Sequence, residues 1–411
     1  MSFLDGAVTK WQPDRRSAIS RLNTFVPSTG RIYAQRRNHD LGPDDRTNVS
    51  CLSPWIRHRA IHEREVLAAT LARFSQSTAE KFVQEVFWRG YFKGWLEHYP
   101  SVWGQFENDL AALLLDLKTD TPLCKSYEEA ICGKTGIDCF DFWARELAAN
   151  NYLHNHARMW FASIWVFTLK LPWQLGAAFF LEHLLDGDPA SNTLSWRWVA
   201  GLQTKGKTYC ARADNISRFT EGRFDPKGQL SPFAESLIEN KTYPRANLPV
   251  FQPCPAEGRF GLLISEEDCV SGSLNLQRPP SVIAVLSASS EIGSIKLSPA
   301  VLEFRNNLLS DAASRAEAHF QLQVILIEDQ SPGMALKEWA QEHDLQTIVL
   351  SYPPVGAARK RLDDALPGLA EAGLEMHRLV RTYDQLVWPH ATAGFFKLKK
   401  KIPRILQELA L

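Results

Sequence analysis

The chain has 411 residues, of which 45% are hydrophobic and 22% charged, proportions that exclude a disordered, collagenous or disulfide-scaffold protein. Its length fits two domains. Lys+Arg and Asp+Glu are both 46, so no global field draws the chain to a polyanion or a membrane, and such a partner must meet a local patch.

Residues 1–11 lack the apolar core of a secretory or transit signal, so the mature chain is expected to start near residue 1. Seven scattered cysteines, none spaced C-x-x-C, argue for free thiols in a reducing, cytoplasmic setting. The uncharged runs 159–169 and 171–181 have 11 residues each, short of the roughly 20 a membrane span needs. They read as buried helices, with no membrane partner expected.

Eleven of the 13 tryptophans lie in the first 198 positions, so the two parts of the chain differ in kind. Apolar residues recur at three- and four-residue spacing over 60–100, 138–170 and 173–186, which predicts an all-α first domain over 1–235. From about 222 to 280 the chain is rich in Pro, Gly, Ser and Asn. Residues 236–279 therefore read as a connector, with one strand at 260–264. β-branched runs at 282–286, 324–327, 347–350 and 376–380 then alternate with helical stretches at 300–319, 333–343 and 358–372, predicting an α/β domain over 280–394 with a parallel, Rossmann-like sheet. Neither a GxGxxG nor a Walker motif occurs there. Residues 395–411 open on a basic amphipathic segment (FFKLKKKIPR), read first as a solvated helix closing the sheet and second as a phosphate contact.

Four clusters in the helical part combine charge with large aromatics, and buried charges must be paired or bind something. Tyr33 precedes Val49-Ser50-Cys51-Leu52-Ser53-Pro54, where hydroxyls and free N–H groups before a helix can meet a phosphate, although a plain N-cap explains one serine equally well. In 82–91, Glu85, Trp88 and Arg89 share a helix face, and a simple Glu85–Arg89 pair is the bland alternative. The third cluster is 151–160, and the fourth is 185–198, with Asp186 and Asp188. The ligand count around those two falls short of a calcium loop, and no metal site is expected.

Together these motifs resemble the FAD-binding domain of the DNA photolyase/cryptochrome family over about residues 10–228. They include Tyr33 with Arg37, GKTG at 133–136, HN-x-x-RM at 154–159, DGD-x-A-x-N at 186–192, W-x-W at 196–198 and FDPKG at 224–228. The resemblance implies FAD, with Ser50, Cys51, Leu52 and Ser53 at its phosphates beside Tyr33 and Phe82. Arg89, Asn155, Arg158, Asp186, Asp188 and Asn192 would line the flavin and its folded adenine. Arg158 with Asp186 matches the family's flavin-side ion pair, and Asn192 falls where the family keeps a residue beside flavin N5.

On the substrate side Glu85 matches the dimer-binding glutamate, Trp88 and Trp198 the two aromatics that clasp a flipped lesion, and Met159 the methionine of the cyclobutane-dimer class. The implied activity is light-driven repair of cyclobutane pyrimidine dimers in UV-damaged DNA by a deoxyribodipyrimidine photolyase. A cryptochrome-like blue-light receptor without repair is the alternative. Trp196 and Trp173 align with two members of the family's electron relay, while the third, expected near Asp120, has no tryptophan. Val49 replaces the usual Thr and Phe82 a frequent Trp. The helical domain comes first here, and 384–389 with 394–403 resemble the exit from the family's α/β domain, so the chain reads as a circularly permuted member. An antenna chromophore is left open, and a monomer is expected.

Overall fold

A computed structural model of the chain describes residues 11–328 and 330–411. Residues 1–10, on which the reading of the N-terminus rests, lie outside it.

The first part is helical, as the periodicity requires. Long helices at Glu80–His98 and Ser101–Thr119 pack with Asp138–Asn150, Asn155–Ser163, Trp173–His183 and Pro189–Val199. The uncharged run after Arg158 passes through one π-helical turn, Ile164–Thr168, before Lys170 and Pro172 break it. No helix among the described residues is long and apolar enough to cross a membrane.

The second part is a five-stranded parallel sheet. Its strands are β1 (Phe260–Ile264), β2 (Val282–Leu286), β5 (Val324–Ile327), β6 (Thr347–Ser351) and β7 (Glu375–Leu379), in the order β5-β2-β1-β6-β7. β3 (Glu291–Ile292) and β4 (Ile295–Lys296) form a separate small hairpin. Register is set by pairs such as Leu262 with Ile283 on one side of β1 and Leu262 with Val349 on the other. Successive side chains point to opposite faces. Leu262, Ile264, Ile283 and Val285 thus join a core continuous with the helical part. Leu263, Ala284, Leu286, Ile348 and Leu350 form a second core with Leu336, Trp339 and Leu369.

Two expectations need correction. The strand read inside the connector, Phe260–Ile264, is the central strand of the sheet, paired with both β2 and β6. The sheet therefore begins at Phe260 rather than at 280; Pro, Gly and Ser on both sides of β1 disguised it as part of the linker. The basic C-terminal segment does not close the sheet. Its helices, Phe395–Lys399 and Ile402–Glu408, bury Phe395, Leu398, Ile402, Ile405 and Leu406, and Phe395 packs on Trp88 and Tyr91 of the Glu80–His98 helix. Glycines on that helix admit the neighbouring chain. A Cβ at Gly90 would lie 2.9 Å from Tyr383, and one at Gly94 2.8 Å from the Trp388 Cα.

Candidate functional site

The expected phosphate loop is a tight turn held from behind. Arg21 donates from Nε to the Ser50 carbonyl at 2.8 Å, and Cys51 adopts a left-handed φ of 54°. The Leu52 carbonyl accepts from the N–H groups of Trp55 and Ile56, opening the helix Ser53–Arg57, whose second residue, Pro54, has its φ already set for a first turn. Next to it, Tyr33 is buried edge-on to Phe82 at 5.1 Å. Burial, then the Glu85 carboxylate, push its hydroxyl pKa upward. Glu85 itself pairs with Arg37, not with Arg89, so the simple helix-face pair does not form. Arg89 instead donates to Glu63 at 3.2 Å and to the Arg57 carbonyl at 3.1 Å.

Arg158 and Asp186 meet as expected, with a guanidinium nitrogen 2.9 Å from Asp186 Oδ2. Arg158 also donates from Nε to the Leu153 carbonyl at 3.0 Å, and its guanidinium lies over the Tyr152 ring at 5.3 Å. The second carboxylate oxygen, Asp186 Oδ1, is buried without a hydrogen-bond partner. Asn192, one turn into the helix capped by Asp188, donates to the Ala177 carbonyl at 2.9 Å. Asn155 opens the Asn155–Ser163 helix and is exposed, while Met159 is half-buried.

Trp88 stacks on Phe395 at 3.8 Å and 10°. Trp198 is 36% exposed and lies nearly parallel to Tyr209 at 5.7 Å. Each indole is thus backed by another ring. Of the two relay residues, Trp196 is buried against Phe180, Trp165 and Phe161, whereas Trp173 packs on Phe106.

Asp188 belongs to something larger that sequence reasoning missed. Lys93 lies 3.0 Å from it, Arg57 3.6 Å and Arg89 3.8 Å. Arg57 and Lys93 also hold Glu267, which follows β1. Arg59 holds Glu63, Asp268 and Asp384. Burial by itself would raise the Asp188 carboxyl, but Lys93, Arg89 and Arg57 outweigh it and hold the group well below the usual carboxylate range. The only signals in the sequence were Arg57-His58-Arg59 after the proline-led turn and the acidic run Glu266-Glu267-Asp268.

Against known proteins, residues 82–232 match the family model described as the FAD binding domain of DNA photolyase. The match starts at Phe82, so Tyr33 and the 50–53 loop precede it. A deoxyribodipyrimidine photo-lyase of Agrobacterium fabrum is 30% identical over 194 residues, 46% of this chain and 39% of that protein. One of Thermus thermophilus is 31% identical over 219 residues, 53% of this chain and 49% of that protein. A cryptochrome DASH of Idiomarina loihiensis is 27% identical over 225 residues, 52% and 47% of the two chains. The chain thus spans under half the length of these relatives. Among solved structures, a bacterial class III photolyase from Agrobacterium tumefaciens is 25% identical with a TM-score of 0.43, over 57% of this chain and 52% of that one. Residues 82–232 thus match the FAD binding domain of DNA photolyase, and about half of the chain is similar to photolyases and to a cryptochrome DASH.

Proposed function

We propose that this chain is a light-driven repair enzyme for cyclobutane pyrimidine dimers in DNA. Its residues fit FAD at the flavin end. Arg158 is fixed by the Leu153 carbonyl and by Asp186, and the buried Asp186 Oδ1 still lacks a partner. A buried acceptor without a donor costs about 1–3 kcal/mol, so a ligand N–H there would be well matched. Ser50 and Ser53 are half-exposed at the turn assigned to the phosphates. FAD would supply the photoexcited electron that opens the cyclobutane ring. The protein's part is to bind, orient and exclude water.

The observation that carries the repair reading is the pairing, on one helix, of the half-buried Glu85 carboxylate with Trp88 one turn on, each braced from behind by Arg37 and Phe395. A dimer has to leave the stack to be reached, and an indole contributes about 1–3 kcal/mol per stacked base. Trp198 offers the second plane. Glu85, paired with Arg37, would accept from a base N–H.

A photoreceptor that keeps the same flavin and repairs nothing is the alternative, with the Trp88–Phe395 stack then serving as core packing alone. The test is illumination of the reduced, purified chain with a dimer-containing oligonucleotide while thymine absorbance is followed. Return of absorbance supports repair. Flavin bound and reduced with absorbance at background would leave photoreception, and a colourless protein that ignores added FAD would overturn both. Circular permutation is proposed alongside; its support is that Tyr383 and Trp388, in or beside the stretch resembling a family domain exit, pack into Gly90 and Gly94.

A further inference from the structure

In open α/β sheets, ligands bind outside the carboxyl ends of the strands, where the strand order reverses. Here that point lies between β1 and β6. It is filled by the protein itself, because β1 runs out into Ser265-Glu266-Glu267-Asp268, all buried. Glu266 pairs with Arg305 of the sheet's own long helix at 2.8 Å. Asp268 accepts from Ser351 at the end of β6 at 2.7 Å and from Arg381. Glu267 alone of the three carboxylates is spent wholly on the helical part. It accepts two hydrogen bonds of 2.7 Å from Arg57 and lies 3.5 Å from Lys93.

Arg57 turns its Nε to the flavin side. Its Nε–H donates to the Gly187 carbonyl at 2.9 Å, in the middle of the Asp186-Gly187-Asp188 turn. The other side of that turn is fixed by Gly187 N–H on the Leu184 carbonyl and Leu185 N–H on the Asn151 carbonyl, both at 3.0 Å. Asp188 then caps the next helix by accepting from Ser191 N–H at 2.8 Å. We propose that Glu267 and Arg57 are positioning residues for the flavin site: the sheet part, through Glu267, holds Arg57 against Gly187 and thereby sets where Asp186 stands. Without Glu267, Arg57 and Lys93 would be left with the single carboxylate Asp188, which they share with Arg89, itself held by Glu63, and their mutual repulsion would release the turn.

This inference rests on the flavin reading above, and the experiment keeps the two apart. In the full-length chain, Glu267→Gln, Arg57→Lys and the control Glu97→Gln are compared with the parent for FAD affinity, flavin absorption fine structure, and hydrogen exchange of peptides covering residues 184–192. Glu97 also bridges the two parts, accepting from Val355 N–H, Tyr352 and Arg359, but it touches nothing in the turn. The expected result is an FAD affinity lowered about tenfold or more, a shifted flavin spectrum and faster exchange over 184–192 in Glu267→Gln and Arg57→Lys, with Glu97→Gln like the parent. Equal effects in all three variants, or parent-like affinity and exchange in Glu267→Gln, would overturn it. Arg57→Lys keeps the buried charge but not the fork, so it decides the matter if Glu267→Gln fails to fold. A parent that binds no FAD would defeat the flavin reading, while exchange over 184–192 would still decide whether the clamp exists.

Discussion

At Glu146, burial and charge pull in opposite directions. The side chain is buried, pairs with Arg46, and has one oxygen without a hydrogen-bond partner. Burial pushes its pKa up to about 7 from an ordinary 4.5, against the pull of Arg46 and with added push from Asp40. A carboxyl whose folded pKa is raised stabilises the fold below its unfolded pKa, and that contribution is lost as pH rises through the folded value. Relative to Glu146→Gln, the parent should therefore lose stability between about pH 4.5 and 7. At roughly 1.4 kcal/mol per pKa unit the difference is about 3 kcal/mol, readable by urea titration at both ends of the window. A parent and variant that stay parallel would remove Glu146 as the titrating group.

A second residue-scale expectation concerns Trp196. Gly176 lets it approach Trp165, since a Cβ there would lie 2.3 Å from one indole and 2.9 Å from the other, and the two rings meet edge-on at 6.1 Å. If Trp196 passes an electron to light-excited oxidised flavin, Trp196→Phe, which keeps most of the volume, should slow photoreduction severalfold at unchanged flavin content. Stopped illumination followed at flavin wavelengths checks this, and an unchanged rate would reduce Trp196 to core packing.

Among elements, the Glu80–His98 helix serves both parts of the molecule. Its Glu85 meets Arg37, its Lys93 meets Asp188 and Glu267, and its glycines receive Tyr383 and Trp388. At Gly94 the added methyl of Gly94→Ala would meet the Trp388 backbone at 2.8 Å, which no side-chain rotation relieves. Overpacking of this kind costs about 1–3 kcal/mol, so the variant should melt several degrees lower; an unchanged Tm would mean that the C-terminal segment docks more loosely than described.

The same helix shows what is legible in a sequence. The three- and four-residue period makes its course readable, and the family motif places Glu85, Trp88 and Arg89 along it. Strands β2 and β6 are readable because buried parallel strands are near-continuous apolar runs, and the edge strand β5 because its run Val324–Ile327 is β-branched even though Leu326 is exposed. Strand β1 was underrated, since Gly and Pro surround it and nothing local reveals that it is central. Partners separated in the chain are hidden altogether: Arg57 and Glu267 lie 210 residues apart, and a charged residue at a helix end or in the turn after a strand reads as solvated until its counterion is located. The displacement of Arg89 from Glu85 to Glu63 has the same cause, because Arg37 comes from another helix.

For the molecule as a whole, the buried ion pairs join the helical part to the sheet. They are costly to desolvate and give little net stability, but removing one partner typically costs 3–5 kcal/mol, so the two parts should unfold together rather than singly. The repair reading depends most directly on Glu85. The deciding measurement is the quantum yield of dimer splitting in an oligonucleotide, for the reduced parent and for Glu85→Ala, each with its flavin absorption recorded. The account predicts a repairing parent, and a variant whose yield falls severalfold while its flavin spectrum is nearly unchanged. A parent at background with flavin bound and reduced, or a Glu85→Ala variant that repairs as well as the parent, would contradict it.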